Sequence, residues 1–224
     1  MMKFIFMTTL YNIINTARLE DLVYCLLRNS KNPMFEKMVF LYDTSKDNGE
    51  SSLRKIAQEI KHGMLIEIKD RPTYMNFFSF ANSNFPGKNI LVCNSDIYYD
   101  DSLSLINEKH LEKTMIALSR WTHTDKEAYF EFKYPNGELQ LTSSADTWIF
   151  KSPLPFFKSD FRLGVGHCDT QLAKEARGSG LRVLNPCKSI KTYHLHSVGF
   201  KNDEREEKFF YPNPGNQETP ATEI

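Results

Sequence analysis

An apolar run that breaks off into acids constrains this chain more than any other stretch. Ile90-Leu91-Val92-Cys93 reads as a strand buried on both faces, and it ends in Asn94-Ser95-Asp96, with Asp100 and Asp101 close behind. Such a strand belongs to a sheet covered by helices on both sides. An open α/β sheet of that kind binds its ligands just beyond the carboxyl ends of its strands. Hard oxygen ligands at that point suit Mg²⁺ or Mn²⁺ held against the phosphates of a substrate. The competing reading is a polar turn in which Asp100 or Asp101 caps a helix starting near Ser102.

The flanking pattern agrees with a layered α/β architecture. Lys3–Thr9, Lys37–Tyr42 and Met64–Ile68 read as earlier strands. Between them, Arg18–Asn29 carries Leu19, Leu22, Val23, Leu26 and Leu27 at helical spacing, and Ser52–His62 carries Leu53, Ile56, Ala57 and Ile60 on one face. Right-handed crossovers make these strands parallel. The second half changes character. Strands are expected over Thr114–Ser119 and Asp146–Lys151, with a small β-hairpin insertion, Tyr129–Tyr134 and Glu138–Leu141, turning at Asn136-Gly137. A helix from Cys168 or Asp169 to Arg177 and strands over Leu181–Leu184 and Ser189–His196 complete the domain. Residues 202–224 are charged, then rich in Pro, Gly, Asn and Thr, as a tail or linker would be.

Charge and cysteine usage narrow the function classes. Lys+Arg and Asp+Glu balance at 28 each, so no basic field exists to hold a nucleic acid polymer, and a small ligand is favoured. No apolar run has the length of a membrane span. The opening Met1–Met7 reads as the first strand rather than a signal peptide, because Thr8-Thr9-Leu10-Tyr11-Asn12 offers no small-residue cleavage site. Cys25, Cys93, Cys168 and Cys187 are scattered without metal spacing, which suits reduced thiols in the cytoplasm.

Several side chains are candidates for binding on chemical grounds. Arg71-Pro72-Thr73-Tyr74-Met75-Asn76 follows the third strand, where Arg71 could fork onto a phosphate or a base carbonyl. Arg120-Trp121 offers a cation and a flat ring for a sugar, and Asp146 a carboxylate for a sugar hydroxyl or an alternative base. Asp169 stands at the start of a helix, where Asp is also a favoured N-cap. His194 and His196, two apart on a strand, share one face. Lys158, Asp160 and Arg162 lie in a loop with Gly164 and Gly166 that could serve as a lid.

Taken in order, four segments resemble the nucleotide-sugar-dependent glycosyltransferases of the A-type fold (GT-A), over roughly residues 3–200. They are Phe4–Asn12 with Tyr42-Asp43, then Asn94-Ser95-Asp96, then Gly166–Leu172 followed by Gly180–Pro186, and finally Tyr193–His196. The resemblance implies a three-layer α/β/α, Rossmann-like domain over 1–201, with a central mixed, mostly parallel sheet. Its nucleotide-binding half would span about 1–101 and its acceptor-binding half about 102–201, the whole being one domain of a longer polypeptide or a complete enzyme. It implies a nucleotide-sugar donor, a UDP-sugar, and a hydroxyl acceptor on a glycan or other molecule. Thr9, Tyr11, Asp43, Arg71, Tyr74, Asn76, Asn94 and Ser95 would line the donor site, and Arg120, Trp121 and Asp146 the sugar or acceptor. Asp96 and His194 would hold Mn²⁺ or Mg²⁺, and Asp169 would act as the base of an inverting displacement. Asn94 stands where the metal motif, usually Asp-x-Asp, has its first Asp. Two alternatives remain open. A sugar nucleotidyltransferase usually has a Gly-rich basic loop after the first strand, whereas Thr9–Thr16 contains no Gly, Lys or Arg. A binding module without catalysis is the other.

Overall fold

The computed structural model describes residues 2–45, 47, 49–123, 128–130, 145–195, 211–212, 219 and 222–224. Four parallel strands, β1 (Phe4–Tyr11), β2 (Phe35–Asp43), β3 (Gly63–Ile68) and β4 (Asn89–Cys93), alternate with helices α1 (Thr16–Ser30), α2 (Ser52–Glu59) and α3 (Tyr74–Asn84). After β4 come a short strand β5 (Ile97–Tyr99) and two 3-10 turns, Asp101–Leu105 and Glu108–Leu111. The remainder is β6 (Thr114–Leu118), β7 (Trp121–His123), β8 (Ala128–Phe130), β9 (Thr147–Lys151), α4 (Cys168–Gly178), β10 (Arg182–Leu184) and β11 (Thr192–Leu195).

The main sheet has the order β10-β6-β9-β4-β1-β2-β3, and β9 alone runs antiparallel, between β4 and β6. Both faces are apolar, as the sequence of β1 requires. Phe4 and Phe6 pack with Leu22, Leu26 and Leu53 of α1 and α2. Ile5 and Met7 point the other way, to Phe77 and Ala81 of α3 and Leu172 and Ala176 of α4. Successive strand residues alternate between faces, so Phe4–Met7 fill two cores, and the polar but buried Thr8 and Thr9 follow them toward the carboxyl end of β1. Trp148 of β9 is fully buried in the second core and donates its indole N–H to the Tyr74 hydroxyl at 3.1 Å.

Helix α3 lies in a stretch for which the sequence analysis gives no helix. Its aromatic, Asn- and Ser-rich composition is weak in helix propensity. It is held instead by a Thr73–Asn76 capping box and by burial of Tyr74, Phe77, Phe78 and Ala81 on one face. The expected helix near Ser102 is the first of the 3-10 turns, capped by Asp100, whose Oδ1 accepts from Ser102 N at 2.9 Å. Asp169 is not the N-cap of α4. His167 takes that position with a left-handed φ of 63°, which leaves the Asp169 carboxylate available for other contacts.

A second, four-stranded sheet, β5-β11-β7-β8, stands beside the carboxyl end of β4. The expected hairpin turn at Asn136-Gly137 and His196 lie outside the described residues. The described residues of the tail rest on the domain: Tyr211 N donates to Gly166 O at 3.0 Å, and Thr222 N to Asn185 O at 2.7 Å.

Candidate active site

The strand ends bring most of the expected residues to one edge of the sheet. Tyr11 and Asp43 are direct register partners at the ends of β1 and β2. Thr9 is buried two residues before Tyr11. Cys93, Thr147 and Leu118 are aligned across β4, β9 and β6. Backbone bonds carry that alignment one step further, from Asn94 N to Asp146 O and from Asp146 N to Leu118 O, both 3.1 Å. Asn94, Asp146 and the Ser119-Arg120 segment therefore lie side by side beyond the sheet.

Two buried or nearly buried charge clusters occupy this edge. Asp96 Oδ2 accepts from Arg18 Nη2 at 2.5 Å and lies 3.2 Å from His194 Nε2. All three residues are less than a tenth exposed. Asp96 Oδ1 is sealed from solvent and has no hydrogen-bond partner among the described residues. Register explains the meeting: His194 pairs with Ile97, and Leu195 N donates to Asp96 O at 3.0 Å. Arg18 arrives from the first turn of α1, which starts where Asn15 Oδ1 accepts from Arg18 N at 3.0 Å. In the second cluster Asn94 Nδ2 donates to Asp146 Oδ1 at 2.7 Å, and Arg120 Nη1 lies 3.5 Å from Asp146 Oδ2.

Asp169 approaches the second cluster from the head of α4. Its Oδ2 accepts from Ala145 N at 2.8 Å and its Oδ1 from Thr170 N at 2.9 Å. Burial pushes its carboxyl upward, the charge of Asp146 adds to the rise, and the two backbone N–H bonds offset part of it, leaving a pKa of about 6. Asp96 moves the opposite way. Burial raises it, but His194 and Arg18 outweigh that and hold it well below the usual carboxylate range. Burial lowers His194, and the Asp96 charge reverses this, so the imidazole titrates above its ordinary value.

Other expected residues are engaged elsewhere. Arg71 clamps Leu163 O through Nε and Nη2 at 3.0 and 2.7 Å. Together with Tyr74 N to Phe161 O (2.9 Å) and Met75 N to Ser159 O (2.7 Å), it ties down the loop expected to be a lid. Tyr74 is a core residue, and Asn76 is exposed in its capping box. Trp121 donates Nε1 to Cys187 O at 2.8 Å and carries Lys191 Nζ 5.0 Å above its ring. Ser95 is partly exposed between Asn94 and Asp96. Arg18 is the site residue that sequence reasoning did not select. Helical spacing places it beside Leu19 and gives no sign that it is buried against an acid.

Among the described residues the donor set does not fit a divalent ion. Asp96 offers one oxygen already taken by a guanidinium and an imidazole, and another closed to solvent. Asn94, whose amide N–H binds Asp146, has only a neutral amide oxygen to offer and brings no negative charge. Among the described residues no group of three His, Cys, Asp or Glu could hold a metal. An ion sharing Asp96 with Arg18 would also stand beside a like charge. Even unit charges repel by about 4 kcal/mol at ~4 Å and an effective dielectric of ~20.

A mostly parallel sheet with an antiparallel β9, a small sheet at the end of β4 and acids at that junction together make the GT-A glycosyltransferase fold. Solved structures agree. S. aureus TarS 1–349 in complex with UDP-GlcNAc superposes with a TM-score of 0.57 at 16% identity, covering 88% of this chain and 60% of that one. The mannosyltransferase PcManGT from Pyrobaculum calidifontis, in complex with GDP-Man and Mn²⁺, gives 0.54 at 14% identity, covering 89% and 58%. At such identities the likeness is one of fold, and this chain spans about 60% of the length of those neighbours. No family model and no curated protein matches the sequence. Among the described residues no helix is long and apolar enough to cross a membrane.

Proposed function

We propose that this chain is a glycosyltransferase that moves a sugar from a nucleoside diphosphate donor, a UDP-sugar, to a hydroxyl of a glycan or other acceptor with inversion. The observation that carries this reading is Asp169. Its carboxyl, with a pKa of about 6, lies next to Asp146 at the head of α4, on a fold shared with nucleotide-sugar enzymes. The acceptor hydroxyl gives its proton to Asp169 as its oxygen bonds to the anomeric carbon. The bond from that carbon to the diphosphate breaks, and the nucleoside diphosphate leaves. Tyr11 and Asp43, paired at the ends of β1 and β2, flank the nucleotide, and Asp146 orients a sugar hydroxyl. The divalent ion implied by the sequence resemblance enters no step, because the donor set does not suit it. The four cysteines are free and buried, which supports a reducing, cytoplasmic setting.

Calorimetry with UDP and GDP, followed by a hydrolysis assay over a panel of donor sugars, tests the reading. Saturable binding of one nucleotide and release of its sugar are expected. Binding without turnover of any donor would leave a binding module, and no binding at all would end the proposal. The pH profile is a second check. A base works only when ionised, so kcat/KM should rise with pH through about 6 and level off above it. A profile that falls through that range would make Asp169 an acid instead.

A further inference from the structure

We infer that Tyr211 is a positioning residue: it clamps the segment that leads into α4 and thereby fixes where the Asp169 carboxylate stands. The inference rests on the glycosyltransferase reading of Asp169 and adds to it a part for the tail, whose composition is that of a linker.

Asp169 is the second residue of α4, so its place follows the backbone just before the helix. That backbone is held by no side-chain cap. His167 occupies the N-cap with a φ of 63° and makes no cap hydrogen bond through its side chain. A left-handed conformation disfavours any residue with a Cβ, and it persists only where surrounding contacts fix it. Those contacts begin with a run of turns, in which Val165 N donates to Arg162 O at 3.4 Å and Cys168 N to Val165 O at 3.0 Å. Tyr211 bridges that run. Its hydroxyl accepts from Arg162 N at 2.9 Å, and its own N–H donates to Gly166 O at 3.0 Å, directly before His167. Its ring meets Phe161 edge-on, with centroids 5.3 Å apart.

The tail holds α4 at both ends as well. Pro212 O accepts from Gln171 Nε2 in the first turn, and Thr219 Oγ1 from Arg177 Nη2 in the last, each at 2.5 Å. Thr219 is buried, and its carbonyl accepts from Asn185 Nδ2 at 3.1 Å. A tail of this composition orders only where contacts tie it down. Tyr211 is the contact nearest Asp169 in this chain of bonds, and it acts through the backbone of Gly166 and His167. A slackened head of α4 would let the Asp169 carboxylate leave Ala145 N and take up water.

The experiment uses the whole chain and a donor that it turns over. Tyr211→Ala is expected to lower kcat by about ten- to a hundredfold, the scale of a small misplacement, with donor KM unchanged within about twofold. The acid limb of kcat/KM should move below about 6, because a loosened Asp169 loses burial, the largest cause of its raised pKa. Asp146, Cys168 and Tyr74 stand close enough to feel its charge, and burial pushes Cys168 and Tyr74 up, so both stay neutral in that range. Tyr211→Phe keeps the ring and should fall between alanine and wild type in both rate and limb. Glu223→Ala, exposed in the same tail, should match wild type. Each rate is measured well below that variant's melting midpoint. A folded Tyr211→Ala with wild-type kcat and acid limb, or with only a raised donor KM, overturns the inference while the glycosyltransferase reading stands. Where the alanine variant does not fold, Tyr211→Phe at the wild-type rate and limb overturns it in the same way. No turnover of any donor by the wild-type chain overturns both.

Discussion

Asp169→Asn is expected to keep the fold and nucleotide affinity while transfer slows by about 10²–10⁴-fold, the usual contribution of a positioned general base. The substitution preserves shape, and an amide oxygen still accepts one of the two backbone bonds, from Ala145 N or Thr170 N. The amide nitrogen then faces the other N–H, at a cost of about one hydrogen bond, ~0.5–1.5 kcal/mol. Removing a carboxylate held near pH 6 by burial and by Asp146 also relieves the folded state above that pH, where the charged form is disfavoured. Stability should therefore change little. The acid limb of the pH profile should vanish along with the rate. Turnover at the wild-type level, measured with the donor that binds, would sink the assignment and move attention to Asp146.

The second large effect concerns stability. Arg18→Met should cost about 3–5 kcal/mol, because it leaves the buried Asp96 carboxylate with His194 alone. The opposing desolvation term decides the companion result. Replacing both partners, Arg18→Met with Asp96→Leu, should recover much of the loss, since buried ion pairs barely exceed their own desolvation cost. The pH dependence follows from the directions of the shifts. The Asp96 carboxyl is depressed, so its contribution is present above an unfolded aspartate's pKa of about 3.9 and is lost as pH falls through the native value. The His194 imidazole is raised, so its contribution is complete below about 6.5 and is lost as pH rises through its native value. Urea unfolding near pH ~5, where both contributions are present, is the measurement. A single variant within about 1 kcal/mol of wild type would show that the ion pair carries no net stability.

Much of the architecture is legible in local patterns. The strands β1 to β4 and helices α1, α2 and α4 follow from two-faced apolar runs and from apolar spacing of three and four residues. Helix α3 carried the same signal in Tyr74, Phe77, Phe78 and Ala81, and the Thr73-x-x-Asn76 box before it, but aromatic and Asn-rich composition masks a helix that packing makes. In the second sheet β11 falls within the expected strand Ser189–His196, but its pairing with β5 is not legible. β5 is three residues long, and its partner β11 lies almost a hundred positions away in sequence. Arg71 shows the same limit at the level of a side chain. A loop arginine looks like a phosphate clamp until the fold brings Leu163 O within reach.

The break from Ile90–Cys93 into Asn94-Ser95-Asp96 was enough to place a polar edge at the end of a buried strand, because backbone alternation and burial are local properties. What that edge does with its charges was decided only by tertiary contacts. Arg18 comes from 78 positions upstream and His194 from 98 positions downstream to share one oxygen of Asp96. Asp169 gains its raised pKa from burial and from the charge of Asp146, which the fold brings beside it. Charge partners and desolvation depend on distance in space, and no local spacing along the chain encodes them.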